Sequence, residues 1–379
     1  MIYADNAATT KLSDAALQAM LPFLQEQFGN ASSVHLLGQN ARSAIDDART
    51  RCAQIIHCDP REIIFTSGGT ESDNQAIISA AMIGQTQEKQ HIVSTAFEHH
   101  AVIHTLNKLE KQGFEITLIQ PSEDGSITPQ QVLDVIREDT ALVSVMYANN
   151  EIGTIQPIEE IGRVCREKKV LFHTDAVQAA GNLSIDVQQQ NIDLLSLSAH
   201  KFHGPKGVGI LFARRGVKLL PLLEGGAQER NLRPGTENVA AIAGMAAALT
   251  EADGNREENA VKTIALRDRL IAGLETIPGS MMNGSRYNRL PGNVNFSFEG
   301  LVSEALLLLL DEKGICASAA SACASGALEP SHVMLAIGRP RELAFSSLRL
   351  SISSDNTEEE IGFIIEAVHT SVEELRRGL

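Results

Sequence analysis

The sequence has no apolar run fit to cross a membrane: its unbroken leucine stretch, residues 306–310, falls far short of the ~18 residues a spanning helix needs. Nor does it have a basic excess. Lys and Arg total 32 against 47 Asp and Glu, a formal charge of −15. Phosphate backbones are held by clustered Lys and Arg, so neither a resident nucleic acid nor a membrane is an expected partner. The opening segment MIYADNAATT lacks the basic and apolar stretches of a secretory signal, which points to a cytoplasmic protein. Cysteine is sparse. The five thiols (Cys52, Cys58, Cys165, Cys316 and Cys323) are an odd number without CxxC spacing. That disfavours a disulfide framework or a metal site, fits a reducing compartment, and leaves room for a working thiol. No internal repeat or low-complexity tract is present. What remains is an ordinary globular composition, 43% hydrophobic and 21% charged over 379 residues, with length for about two domains.

Between residues 60 and 215, short β-rich apolar runs alternate with helical patterns, the signature of a parallel sheet wrapped by helices. The strand candidates are EIIFTS, HIVSTAF, EITLIQ, ALVSVMYA, VLFHTD, DLLSLSA and GVGILFA. Helices are expected over 71–82, 99–112, 129–137 and 158–169, with Gly113 ending the second. A long helical run from 238 to about 277 breaks at Asp253-Gly254, and strands return at GNVNFSF and SSLRLSIS. The tail carries Thr357 and Glu360 at capping-box spacing ahead of a 3.6-residue apolar period. The expected fold is α/β: a large domain with a mainly parallel seven-stranded sheet over 16–259, and a smaller α+β domain over 260–379. Residues 1–15 are assigned to the smaller domain, and the helical patterns near 13–27 and 36–56 are available to complete it.

Three segments carry chemistry. In SAHKFHGPKGVG, Lys201 follows a buried strand and precedes a Gly-Pro turn, a setting in which desolvation lowers a lysine pKa and favours a Schiff base. Alone, the segment equally admits a surface lysine on a turn. In VLFHTDAVQAAG, Asp175 ends a strand at the carboxyl edge where open α/β sheets bind ligands. There it either caps the next helix or faces a cationic ring nitrogen, as pyridoxal 5'-phosphate (PLP) requires of an acid. In FTSGGTESDNQAI, Gly68, Gly69 and Thr70 open a helix, whose free N–H groups and dipole suit a phosphate. Each signal is weak by itself; their joint order is far less common.

Taken with FGNASSVH, EHHAV, NNEIG, RPGTEN, SACASGALEPS and SSLRLS, these segments make the chain resemble, nearly end to end, the PLP-dependent cysteine desulfurases of the NifS and IscS type. That family lies within the class-V aminotransferase superfamily of fold type I. The resemblance implies Lys201 as Schiff-base lysine, Asp175 as pyridinium partner and Gln178 as donor to the ring hydroxyl. It implies Gly69, Thr70, Ser198 and His200 around the phosphate, and Thr236 reaching the phosphate of a neighbouring subunit in a homodimer. His99 would stack on the ring and assist proton transfer. Arg349, with Asn150 beside it, would clamp the carboxylate of L-cysteine. Cys323 lies in 317–328, where ten of twelve residues are Ala, Ser or Gly. By the resemblance it takes the substrate sulfur as a persulfide and leaves L-alanine. Cys52, Cys58 and Cys165 fall in helical patterns and are read as structural; Cys316 is given no role.

The rival readings are another class-V enzyme, an aminotransferase or selenocysteine lyase, and a non-catalytic sulfur carrier. The sequence has Ala31 in GNASS and SISSDNT after Arg349, where relatives often differ, and it ends at Leu379 directly after the last helical pattern. The sulfur acceptor is therefore left open among an iron–sulfur scaffold, tRNA thiolation and cofactor biosynthesis.

Overall fold

The computed structural model describes residues 1–319 and 330–378. All seven strand candidates form one sheet: β1 (Ile63–Thr66), β2 (His91–Thr95), β3 (Glu115–Ile119), β4 (Thr140–Ser144), β5 (Leu171–Asp175), β6 (Leu194–Ser198) and β7 (Gly209–Ala213). Their order is β1-β7-β6-β5-β4-β2-β3, parallel from β6 to β3, with β7 antiparallel to both of its neighbours. Alternate residues reach opposite apolar layers. Val93, Val143, Leu195 and Phe212 enter one core, and Ile92, Leu142, Leu194 and Leu211 the other. Burial on both faces explains why these strands read as continuous hydrophobic runs.

The helices α1 (Asp14–Gln25), α2 (Leu36–Ile55), α3 (Gly69–Gln85), α4 (His100–Glu110), α5 (Pro129–Val135) and α6 (Ile158–Lys168) precede or interleave with the strands. The long helical run divides into α7 (Val239–Gly254) and α8 (Arg256–Leu274), with Asn255 between them, one residue past the expected break. The first two helices do not complete the smaller layer. Both pack on α7, where Ala16, Ala41 and Ile45 join the core of the large sheet. Gly244 makes this close: a Cβ there would lie 2.5 Å from Met20 Cγ.

A second, antiparallel sheet has the order β10-β11-β9-β8, built from β8 (Ser280–Met282), β9 (Asn293–Phe298), β10 (Ser318–Ala319) and β11 (Ser347–Ser351). Its core is closed by α8, α9 (Ser303–Glu312) and α10 (Glu358–Arg377), through Leu270, Leu306, Ile361 and Val368. The helix α9 is what the 306–310 leucine run becomes. At the start of α10 the reciprocal cap is complete: Thr357 Oγ1 accepts from Glu360 N–H and the Glu360 carboxylate accepts from Thr357 N–H.

Residues 1–13 strap the two layers together. The Ser351 N–H donates to Ala4 O at 2.7 Å, while Thr10 N–H and Ser13 N–H donate to His200 O and His203 O, each at 2.9 Å.

Candidate active site

Parallel strands β5 and β6 end side by side, Asp175 in register with Ser196, so Asp175 and Ser198 share the carboxyl edge of the sheet. One 3-10 turn, Ala199–Lys201, carries the chain from Ser198 to the lysine. The Lys201 amine donates to Ala7 O at 2.6 Å and to Ala8 O at 2.7 Å, and Gln178 Nε2 donates to the same Ala7 O at 3.0 Å. The strap thus closes one side of the site with carbonyl acceptors. Asp175 is buried and its Oδ1 accepts from Val177 N–H at 2.9 Å. Burial pushes its pKa up to about 6, against the opposing pull of that N–H and of the Lys201 charge.

Beside this pair lies an anion corner. Helix α3 begins at Gly69 behind Gly68, whose φ of +151° suits glycine, and no side chain caps it. A Cβ on Gly69 would lie 2.7 Å from Val177 Cγ2, and one on Gly209 would lie 2.7 Å from Gly68 Cα. The turn therefore presses its backbone against β7 and the β5 exit, close to Ser198, whose Oγ would lie 3.6 Å from a Cβ on Gly68. Of the expected phosphate ligands, Gly69, Thr70 and Ser198 belong to this corner. His200 is turned to Thr9 Oγ1, at 3.1 Å through Nδ1, and burial lowers its pKa to about 4. Thr236 is exposed on the turn after Gly235.

His99 caps α4: its Nδ1 accepts from Ala101 N–H at 3.1 Å, which puts the proton of the neutral ring on Nε2. Burial, then the Lys201 charge, lowers its pKa to about 4, so the ring stays neutral near pH 7. One donor atom each of Asp73, His99 and Asp175 lies within 4.8 Å of the others, which brings two buried carboxyls together.

Arg349 comes from β11 and is 3% exposed. It donates to Asp5 Oδ1 at 3.0 Å and to Asn150 O at 3.2 Å, while its buried Nε has no hydrogen-bond partner among the described residues. Asn150 thus meets Arg349 through its carbonyl. Cys323 lies outside the described residues. Cys316 is half-buried on a two-residue strand paired with Ile2–Tyr3. Cys52 and Cys165 are buried in α2 and α6, but Cys58 lies past the end of α2 rather than within a helix. Burial drives all three thiols up, Cys52 to about 12, which leaves them unreactive near neutrality. A cavity of about 420 Å³ opens on the strap; of the expected site residues it reaches only Gln178 and Lys201.

Two functional residues escaped the sequence reading. Asp5, within YADNAATT, is the anion that holds Arg349. Asp73, within SGGTESDN, is buried among Gly69, Ala76, Ile77 and Ala80 on the sheet-facing side of α3, so a charge within an apolar stripe was the available signal.

The arrangement fits PLP: a glycine-lined anion corner, a buried acid, a lysine and an arginine with an unmet donor. Comparisons with known proteins agree. A protein named cysteine desulfurase IscS from Methanosarcina thermophila is 50% identical over 375 residues, covering 99% of this chain and 93% of its own. A solved NifS-like protein superposes with a TM-score of 0.92 at 36% identity, covering 98% of this chain and 99% of that one. A structure of SspA in complex with cysteine gives a TM-score of 0.83 at 36% identity, covering 93% and 99%. The family model for class-V aminotransferases matches residues 2–363, and the chain belongs to that family.

Proposed function

We propose that this chain is a PLP-dependent cysteine desulfurase: L-cysteine and the Cys323 thiol give L-alanine and a Cys323 persulfide. The observation that carries the reading is the buried guanidinium of Arg349, whose Nε has no hydrogen-bond partner among the described residues, a donor suited to the carboxylate of an amino acid. Full-length similarity to a protein named cysteine desulfurase favours this over an aminotransferase or selenocysteine lyase, and over a carrier without turnover.

When bound, the cofactor supplies an electron sink for the charge that develops at the substrate Cα. The chain's own residues do the rest. Lys201 would hold the cofactor covalently, and its amine would take the Cα proton of the substrate. Asp175, as carboxylate, would keep the ring nitrogen protonated, and Gly69, Thr70, Ser198 and His200 would hold the phosphate. Gln178 would donate to the ring hydroxyl. Neutral His99 would cover the ring and offer a proton from Nε2. Arg349 and Asn150 seat the substrate carboxylate. The Cys323 thiolate then attacks the substrate sulfur, whose bond to carbon breaks; the carbon side is protonated and leaves as L-alanine.

The active unit is a homodimer in which Thr236, exposed in the single chain, completes the partner's phosphate pocket. Residues 16–259 form the cofactor domain and 260–379, with 1–15, the smaller one. The sulfur acceptor is a protein such as an iron–sulfur scaffold. Among the described residues Cys52, Cys58, Cys165 and Cys316 are free thiols and no helix is long and apolar enough to cross a membrane, which supports a cytoplasmic setting. The test is stoichiometric: L-cysteine with the loaded enzyme gives equal L-alanine and protein persulfide in a first turnover, and Cys323→Ser gives neither while still binding L-cysteine. Persulfide formed at wild-type yield by Cys323→Ser would move the nucleophile elsewhere.

A further inference from the structure

We propose that Asp73 is the proton-bearing member of a buried carboxyl pair with Asp175, a positioning residue that leaves Asp175 as the anion beneath the cofactor ring. The proposal rests on the reading of Asp175 as the partner of the ring nitrogen. Asp73 is 1% exposed on α3, above the ends of β5 and β6. Its Oδ1 has no hydrogen-bond partner among the described residues; the nearest basic atom is His173 Nε2 at 3.6 Å. That imidazole is already engaged, with Ser144 Oγ at 2.8 Å and Ser196 Oγ at 3.1 Å. Burial lowers the His173 pKa to about 3, so it brings no positive charge to Asp73.

Two buried carboxyls whose oxygens lie within 4.8 Å of each other do not both ionise. The groups around them decide which keeps the proton. Asp175 has a backbone N–H on its Oδ1 and the Lys201 charge in front of it. Asp73 faces Asp175 and neutral His173 from β5, the Ser196 hydroxyl from β6, and Glu98 and neutral His99 from the approach to α4. Burial comes first in raising the Asp73 pKa, Asp175 second and Glu98 last, and only Ser196 opposes them. The proton therefore resides on Asp73. No second negative charge then competes for the ring-nitrogen proton, and a substitution that kept Asp175 but placed a permanent anion at 73 would disturb it.

Infrared difference spectra of the holoenzyme carrying isotopically labelled aspartate test this near neutral pH. A protonated aspartyl C=O band in the wild type, lost in Asp73→Asn and kept in Glu98→Gln, is the expected result. No such band in the labelled wild type overturns the proposal whether or not any variant folds. The visible absorption of the bound cofactor gives a second readout. Asp73→Asn removes no charge if the proposal holds, so its pH midpoint moves by less than about one unit, whereas loss of a true anion moves it by roughly 1–3 units. A shift in that larger range refutes the assignment. Failure of the wild type to bind PLP at all would instead refute the cofactor reading, and the same infrared comparison on the unloaded protein would still read the Asp73 proton.

Discussion

Truncating Arg349 to alanine offers the sharpest test of how substrate is held. The guanidinium is almost wholly buried, shares its N–H groups between Asp5 Oδ1 and Asn150 O, and has no partner for Nε–H among the described residues. A substrate carboxylate that completes this donor set gains a charge-assisted bond worth about 1.5–3 kcal/mol, so its loss weakens L-cysteine binding by about 10–150-fold. Removal also strips Asp5 of its ion partner. Breaking a buried pair costs up to roughly 3–5 kcal/mol, and less here because the Asp5 side chain is 17% exposed. Thermal unfolding of the loaded protein is therefore measured alongside. Binding is read from the change in cofactor absorption on titration with L-cysteine and, in parallel, with cysteamine, which has the amine and thiol but no carboxylate. Arg349→Ala is expected to bind L-cysteine weakly and cysteamine as the wild type does. Equal losses for both ligands would show that the substitution acts through the fold. Unchanged L-cysteine affinity with lowered turnover would assign the residue to the transition state instead.

Lys201→Ala should bind PLP without covalent linkage and lack the visible band of the lysine-bound cofactor; a wild-type spectrum would displace Lys201 from its role. Mixing Lys201→Ala chains with Thr236→Ala chains should restore activity on subunit exchange, because one site of each mixed dimer keeps both residues. No recovery despite demonstrated exchange would confine Thr236 to its own turn. Four buried groups should leave the cofactor-free protein most stable over a plateau between about pH 4.5 and 6.5, falling away on both sides. Burial raises Glu98 from 4.5 to about 8 and Glu151 to about 7, so their contribution is complete below pH 4.5 and is lost as pH rises through those values. His99 and His200, lowered from 6.5 to about 4, contribute above pH 6.5 and lose that contribution as pH falls toward 4. Glu98→Gln should flatten the alkaline side in a series of melting curves; an unchanged slope there would show that Glu98 is ionised throughout.

The parts of this molecule that were legible from sequence are those where one local rule acts alone. The seven strands announce themselves because burial on both faces makes every residue apolar, and α10 because Thr357 and Glu360 complete a cap within four residues. The packing partner of α1 and α2 stayed open in the sequence for a nonlocal reason. Their amphipathic pattern says that one side is buried, but only the small residues of α7, with Gly244 opposite Met20, decide against which layer. Lys201 and Asp175 stand out as candidates because both lie where strands end at the ligand edge, and the fold brings both to that edge.

Asp5 and Asp73 were not found, and the reason is physical. Each works by neighbours remote in sequence: Asp5 meets Arg349 across 344 positions, and Asp73 meets His173 from another element. A carboxylate in an apolar stripe is costly unless something answers its charge, so its presence signals a partner without naming it. In Asp5 the answer is an arginine and the pair stays ionic. Beside Asp73 the only basic group that the described residues place within 4 Å is His173, and that ring is held neutral, so on our proposal the same residue type takes a proton instead. Identical side chains thus acquire opposite charge states from the fold, which is why residue type and spacing locate such a site while only the packed structure assigns its protons.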